Sequence, residues 1–134
     1  MDQLSANISP LSSEQQESVI AETRAYIEQA VDLFGFRDKM VDISFNLKGR
    51  AAGMYRIRCG KGLIFSHQQR EIRYNPYIFS KSFEDNFATT IPHEVAHYVT
   101  DVTYGLKNIR PHGKEWKAVM HAFGADASVT ADYD

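Results

Sequence analysis

With 134 residues, 43% of them hydrophobic and 24% charged, the chain has the length of one domain and the composition of a folded one. Disordered, collagen-like and low-complexity readings are excluded, and no apolar run exceeds three residues, which excludes a membrane-spanning helix. The start, Met1-Asp2-Gln3, has no basic stretch leading into an apolar core, so no secretory signal is read and a cytoplasmic location is expected. Cys59 is the only cysteine. It cannot close an internal disulfide, and zinc sites built on clustered cysteines are excluded.

The formal net charge is −2, and its distribution says more than its sum. Residues 48–73 carry Lys48, Arg50, Arg56, Arg58, Lys61, Arg70 and Arg73 against Glu71 alone. Residues 1–34 carry Asp2, Glu14, Glu17, Glu22, Glu28 and Asp32 against Arg24. One face therefore suits an anion and another does not, although two oppositely charged solvated faces would read the same way.

In chain order, residues 1–12 are polar, contain Pro10, and are expected to form a flexible segment ahead of a single domain over 13–134. Ser12 or Ser13 can cap a helix, with Gln15 or Gln16 three residues on. Val19, Ile20, Tyr26, Ile27, Val31 and Phe34 then recur at helical spacing, and Gly35 offers a stop, which predicts a helix over 13–34. Val41, Ile43, Phe45 and Leu47 alternate with Asp42, Ser44 and Asn46, a half-buried strand. Met54–Cys59 reads as a second strand, and Leu63–Phe65 and Glu71–Tyr74 as further short ones, with a turn at Gly60-Lys61-Gly62 and Asn75-Pro76 closing the sheet. Phe83, Phe87, Ile91, Val95 and Tyr98 predict a helix over 82–104 that Pro92 should kink or split. Trp116, Val119, Met120 and Phe123 predict a last helix over 113–123. This order makes the fold α+β with a small, mostly antiparallel sheet.

The chemistry sits in His93-Glu94-Val95-Ala96-His97, an HExxH motif on the second long helix. Two histidines four apart are displaced by about 40° around a helix axis, so both rings can reach one ion. Glu94 lies about 100° from His93, placed to address a water beside that ion without ligating it. A zinc ion acidifies such a water, and a glutamate there can take its proton during attack on a carbonyl. Two protein ligands leave a catalytic zinc one short. A metzincin would supply a histidine at position 103, which is Thr103. His112, Glu115 and His121 remain, and His121 stands half a turn round the last helix from His112, so those two cannot share a metal. Spacing does not choose between His112 and Glu115; Gly113 beside His112 permits close backbone approach and favours the histidine.

HExxH followed at this distance by His112-Gly113-Lys114-Glu115-Trp116-Lys117 resembles the SprT-like family, which includes the Spartan proteases. Gly49-Arg50-Ala51-Ala52-Gly53 and Tyr74-Asn75-Pro76 are similar to that family's strand segments, and the resemblance covers about residues 15–134. It implies a zincin-like minimal metalloprotease domain holding one zinc ion through His93, His97 and His112, with Glu94 as general base. It also implies protein substrates held on DNA, with DNA stimulating cleavage. Many bacterial members continue into a cysteine-rich zinc ribbon; with one cysteine, these 134 residues hold none.

Under that reading Arg50, Arg56, Arg58, Lys61, Arg70 and Arg73 become candidate phosphate contacts. Tyr55, Phe65 and Tyr74 interleave with them and could stack on unpaired bases, although aromatics at alternating positions are more often core. Asp101, one turn beyond His97, is a candidate to orient that imidazole, with a plain helix-surface aspartate as the alternative. Trp116 is expected to pack beside the metal. Two rival functions remain at this level. One is a zinc-stabilised nucleic-acid-binding or adaptor domain with vestigial peptidase chemistry; the other is a peptidase acting on a free regulatory protein without DNA.

Overall fold

A computed structural model describes residues 8–38, 40–59, 68–105 and 109–128. Helix α1 spans Ser13–Phe34. Of the two candidate caps Ser12 serves: its hydroxyl accepts from the Gln15 N–H at 3.1 Å, and the Gln15 side chain accepts from the Ser12 N–H at 2.9 Å. Two of the N–H groups that a helix start leaves unpaired are thereby satisfied. Gly35 ends the helix at φ 71°, a left-handed conformation that glycine adopts without a Cβ penalty. Val19, Thr23, Ile27 and Ala30 form the buried stripe. The N-terminal segment meets the core at Leu11, which is 4% exposed and donates its N–H to the Pro76 carbonyl at 3.1 Å.

The sheet has three strands among the described residues, β1 (Asp42–Ser44), β2 (Gly53–Cys59) and β3 (Gln68–Tyr74), with β3 in the middle. β2 and β3 pair antiparallel over seven residue pairs, and β1 and β3 pair parallel over three. The sheet is thus mostly antiparallel by length, and its parallel pair arises because β3 enters between the two earlier strands. Only Asp42–Ser44 of the strand expected over 41–47 joins the ladder, yet the alternation survives in burial, with Val41 and Leu47 inside. The expected Leu63–Phe65 strand and the turn before it lie outside the described residues, as does Lys61.

Helix α2 (Pro76–Lys81) had no sequence forecast. Asn75, read as a strand stop, also caps this helix: its Oδ1 accepts from the Tyr77 and Ile78 N–H groups at 3.1 and 3.2 Å, and Pro76 fills the first turn.

Helix α3 (Phe83–Tyr104) runs through Pro92 as one 22-residue element and is not split. Proline removes the bond that the Ala88 carbonyl would accept, a cost of about 3 kcal/mol. Burial outweighs it: from Thr90 to Asp101 only His97 is not buried. Such an all-round buried helix forms the centre of the fold. α1, the sheet and α4 (Lys114–Ala122) pack around it, and Ile91, Val95 and Val99 meet Val19, Ile27, Ile72, Val119 and Met120 in one core. Gly113, expected inside the last helix, is its cap instead. No helix among the described residues is long and apolar enough to cross a membrane.

Candidate metal centre

His93 and His97 project from α3, and His112 stands just ahead of the Gly113 cap of α4. Nε2 of His112 lies 3.1 Å from Nε2 of His97 and 3.2 Å from Nε2 of His93. One ligand atom from each of the three comes together within 4.8 Å. Tetrahedral zinc bound by imidazole nitrogens at 2.0–2.1 Å sets neighbouring nitrogens about 3.3 Å apart. The two separations from His112 are close to that edge, and three converging ring nitrogens are a donor set suited to a divalent cation. His93 is 1% exposed, whereas His97 and His112 are half-buried, so the cluster opens to solvent on the side of the last two.

Trp116 closes the floor. It is fully buried, its ring centroid lies 4.9, 5.8 and 4.8 Å from those of His93, His97 and His112, and its indole N–H donates to the His93 carbonyl at 3.2 Å. Trp116 thus packs against all three imidazoles. Trp116→Ala should cost about 3–5 kcal/mol in stability and about 10–100-fold in affinity for a divalent metal ion, measured by urea unfolding and chelator competition.

Glu94 is 0% exposed and sits where β2 begins against α3. One turn beyond His97, Asp101 accepts from the Tyr55 hydroxyl and from Arg70 Nε, the latter at 2.8 Å. This ties the turn after HExxH to β2 and β3. Burial, and then the bond to Asp101, push the Tyr55 hydroxyl well above its ordinary pKa, so it stays a proton donor. A further tie runs from the Tyr98 hydroxyl to Asp38.

Of the candidate phosphate contacts, Arg56, Arg58 and Arg73 share one face of the β2–β3 pair, and Arg70 lies on the other. Arg56 and Arg58 grip the two oxygens of Glu71 at 3.1 and 3.0 Å. Burial alone would raise the Glu71 pKa, but the hydrogen bonds from Arg58 and Arg56 outweigh it and hold the carboxyl below its ordinary value. Arg70 points inward at Asp101 with its side chain 15% exposed, and Arg73 donates to Asn46 Oδ1 at 2.9 Å. Arg50 is exposed. Of the aromatics, Tyr74 is fully buried with its hydroxyl 2.8 Å from that of Thr23, so it is core, as alternation favoured.

The SprT-like family model matches residues 23–132. The chain belongs to the SprT-like family. Protein SprT of Vibrio parahaemolyticus serotype O3:K6 is 40% identical over 93 residues, covering 69% of this chain and 49% of that protein. Protein SprT of Pseudomonas savastanoi pv. phaseolicola is 32% identical over 93 residues, covering 69% and 50%, and that of Pseudomonas paraeruginosa 31% over 104 residues, covering 78% and 56%. The chain spans about half the length of the curated relatives it matches. No solved structure matches it significantly. Membership in the SprT-like family suggests a metalloprotease-type domain of a generally zinc-associated kind, in keeping with three histidines that can hold a metal ion.

Gly53 and Thr90, which periodicity alone does not mark as functional, border Glu94. The only sequence signal at Gly53 was its place in the Gly49–Gly53 segment.

Proposed function

We propose that this chain is a zinc-dependent endopeptidase with a zincin-like site, housed in one domain over residues 13–134, and that it cleaves proteins associated with DNA. The convergence of His93, His97 and His112 carries the reading. In it the three imidazoles would hold zinc, leaving one position of a tetrahedral set for water. When bound, zinc supplies Lewis acidity and lowers the pKa of a water to about 7. Glu94 accepts a proton from the attacking water as its oxygen bonds to the peptide carbonyl carbon. The same carboxyl returns the proton to the leaving nitrogen as the C–N bond breaks. Trp116 holds the ligand helices together beneath the site.

For substrates, the excess of Lys and Arg over residues 48–73 supports a nucleic-acid partner. Lys48 and Arg50 are exposed, and the side chains of Arg56 and Arg58 retain 38% and 58% exposure while gripping Glu71. The inward turn of Arg70 and the Glu71 carboxylate favour the second reading, a peptidase acting without DNA. The deciding experiment offers zinc-loaded protein a DNA-binding protein, with and without single-stranded DNA, over a range of salt, with Glu94→Gln as blank. Cleavage that needs DNA and fades steeply with salt is expected. Cleavage indifferent to DNA would leave the peptidase and remove the nucleic acid. No cleavage by zinc-loaded protein would turn the reading to a zinc-stabilised binding domain.

A further inference from the structure

Glycines are usually explained by backbone conformation, and Gly35, Gly49, Gly105 and Gly124 fit that account, with positive φ and nothing within 4 Å of where a Cβ would stand. Gly53 is the reverse. Its φ lies outside the left-handed region, so an L-residue meets no backbone strain there, but the space is filled. A Cβ at Gly53 would stand 2.9 Å from Glu94 Cγ, 2.9 Å from Thr90 Cγ2 and 3.2 Å from Glu94 Oε2. Gly53 is the first residue of β2, buried and paired with Tyr74 of the central strand, so the backbone at that point is fixed by the sheet.

The neighbours have little room to give. Thr90 is fully buried and donates to Asn86 Oδ1 at 2.7 Å, and the Asn86 amide in turn donates to the Phe79 carbonyl at 3.2 Å. Turning Thr90 aside would break a buried hydrogen bond. Glu94 is 0% exposed on the same face of α3, one turn on. A methyl group at 53 thus meets both side chains: relieving the contact with Thr90 costs that buried hydrogen bond, and relieving the two contacts with Glu94 displaces its carboxylate.

We infer that Gly53 is a positioning residue for Glu94: the missing side chain at the start of β2 forms the seat in which the carboxylate lies against the active-site helix. This rests on the reading of Glu94 as the base. The α3 helix thus takes its ligand spacing from its own periodicity, and the placement of its base from a strand residue 41 positions earlier in the chain.

Two readouts on Gly53→Ala test it. In metal-free protein the substitution should lower the melting temperature by about 5–10 °C, as overpacking does. At an ordinary φ the same change would normally stabilise by restricting the unfolded chain, so the sign is itself informative. In a Glu94→Ala background the loss should shrink to about half or less, the coupling expected of side chains in contact. An equal loss in both backgrounds would overturn the proposal. In zinc-loaded protein, kcat on the DNA-bound substrate should fall about 10–100-fold, since a displacement of about 1 Å at a reacting group can cost that much. KM and zinc affinity should stay within about twofold. A rise in KM with kcat unchanged, or full rescue of kcat by Thr90→Ser, would assign the crowding elsewhere and overturn it. If the unsubstituted chain shows no turnover, the reading of Glu94 as base fails, while the metal-free cycle still decides whether Gly53 seats that side chain.

Discussion

Glu94→Gln should leave zinc content unchanged and lower the rate of peptide cleavage by about 100- to 10,000-fold. The glutamine amide has nearly the shape of the carboxylate, so the crowded seat between Gly53 and Thr90 can accept it without repacking. What changes is basicity: an amide oxygen accepts a hydrogen bond but cannot carry a proton from the attacking water to the leaving nitrogen. Metal retention follows from the proposed donor set, three imidazoles without the carboxylate. Elemental analysis of the purified variant and a cleavage time course check the two halves separately. Unchanged turnover would remove Glu94 from the mechanism, and lost zinc would make it a ligand.

The residues behind this expectation were legible in the sequence because they depend on a local period. Two histidines four apart on a helix point the same way whatever surrounds them, and the amphipathic stripes of α1, α3 and α4 fixed those helices to within a residue or two. Long-range pairing was not legible. That β3 enters between β1 and β2, making one pair parallel, follows from a three-residue ladder with no pattern of its own. The arginines show the same limit. As a string, residues 48–73 read as a basic surface. Cross-strand register then sets Arg56 directly opposite Glu71, and the alternation of β3 turns Arg70 inward to Asp101. Asn75-Pro76 was legible as punctuation but ambiguous in direction, since the same pair can stop a strand or start a helix and here does both. Gly53 was least visible of all, because a glycine that makes space looks in sequence like one that makes a turn.

For a third ligand, spacing alone left two candidates, and the clustering of His112 with His93 and His97 favours the histidine. His112→Ala should weaken zinc binding by more than about 100-fold, beyond the 10–100-fold typical of residues that only support a ligand. Glu115→Ala should stay within about tenfold. Nε2 of His112 is the nitrogen that approaches both other rings, at 3.1 and 3.2 Å. Glu115 lies in the first turn of α4 and is outside the three-residue cluster; its Oε1 would lie 3.7 Å from a Cβ at Gly113. Chelator competition measures both variants. The sole tryptophan provides an internal check, since Trp116 packs against all three imidazoles and its emission should respond to zinc. In His112→Ala that response should require far higher zinc, while urea unfolding should show the fold retained, because His112 is half-buried and the core beneath it is carried by Trp116, Val119 and Met120. If Glu115→Ala instead lost the metal and His112→Ala kept it, the site would be a two-histidine, one-carboxylate centre. The present convergence of nitrogens would then have to rearrange when zinc enters.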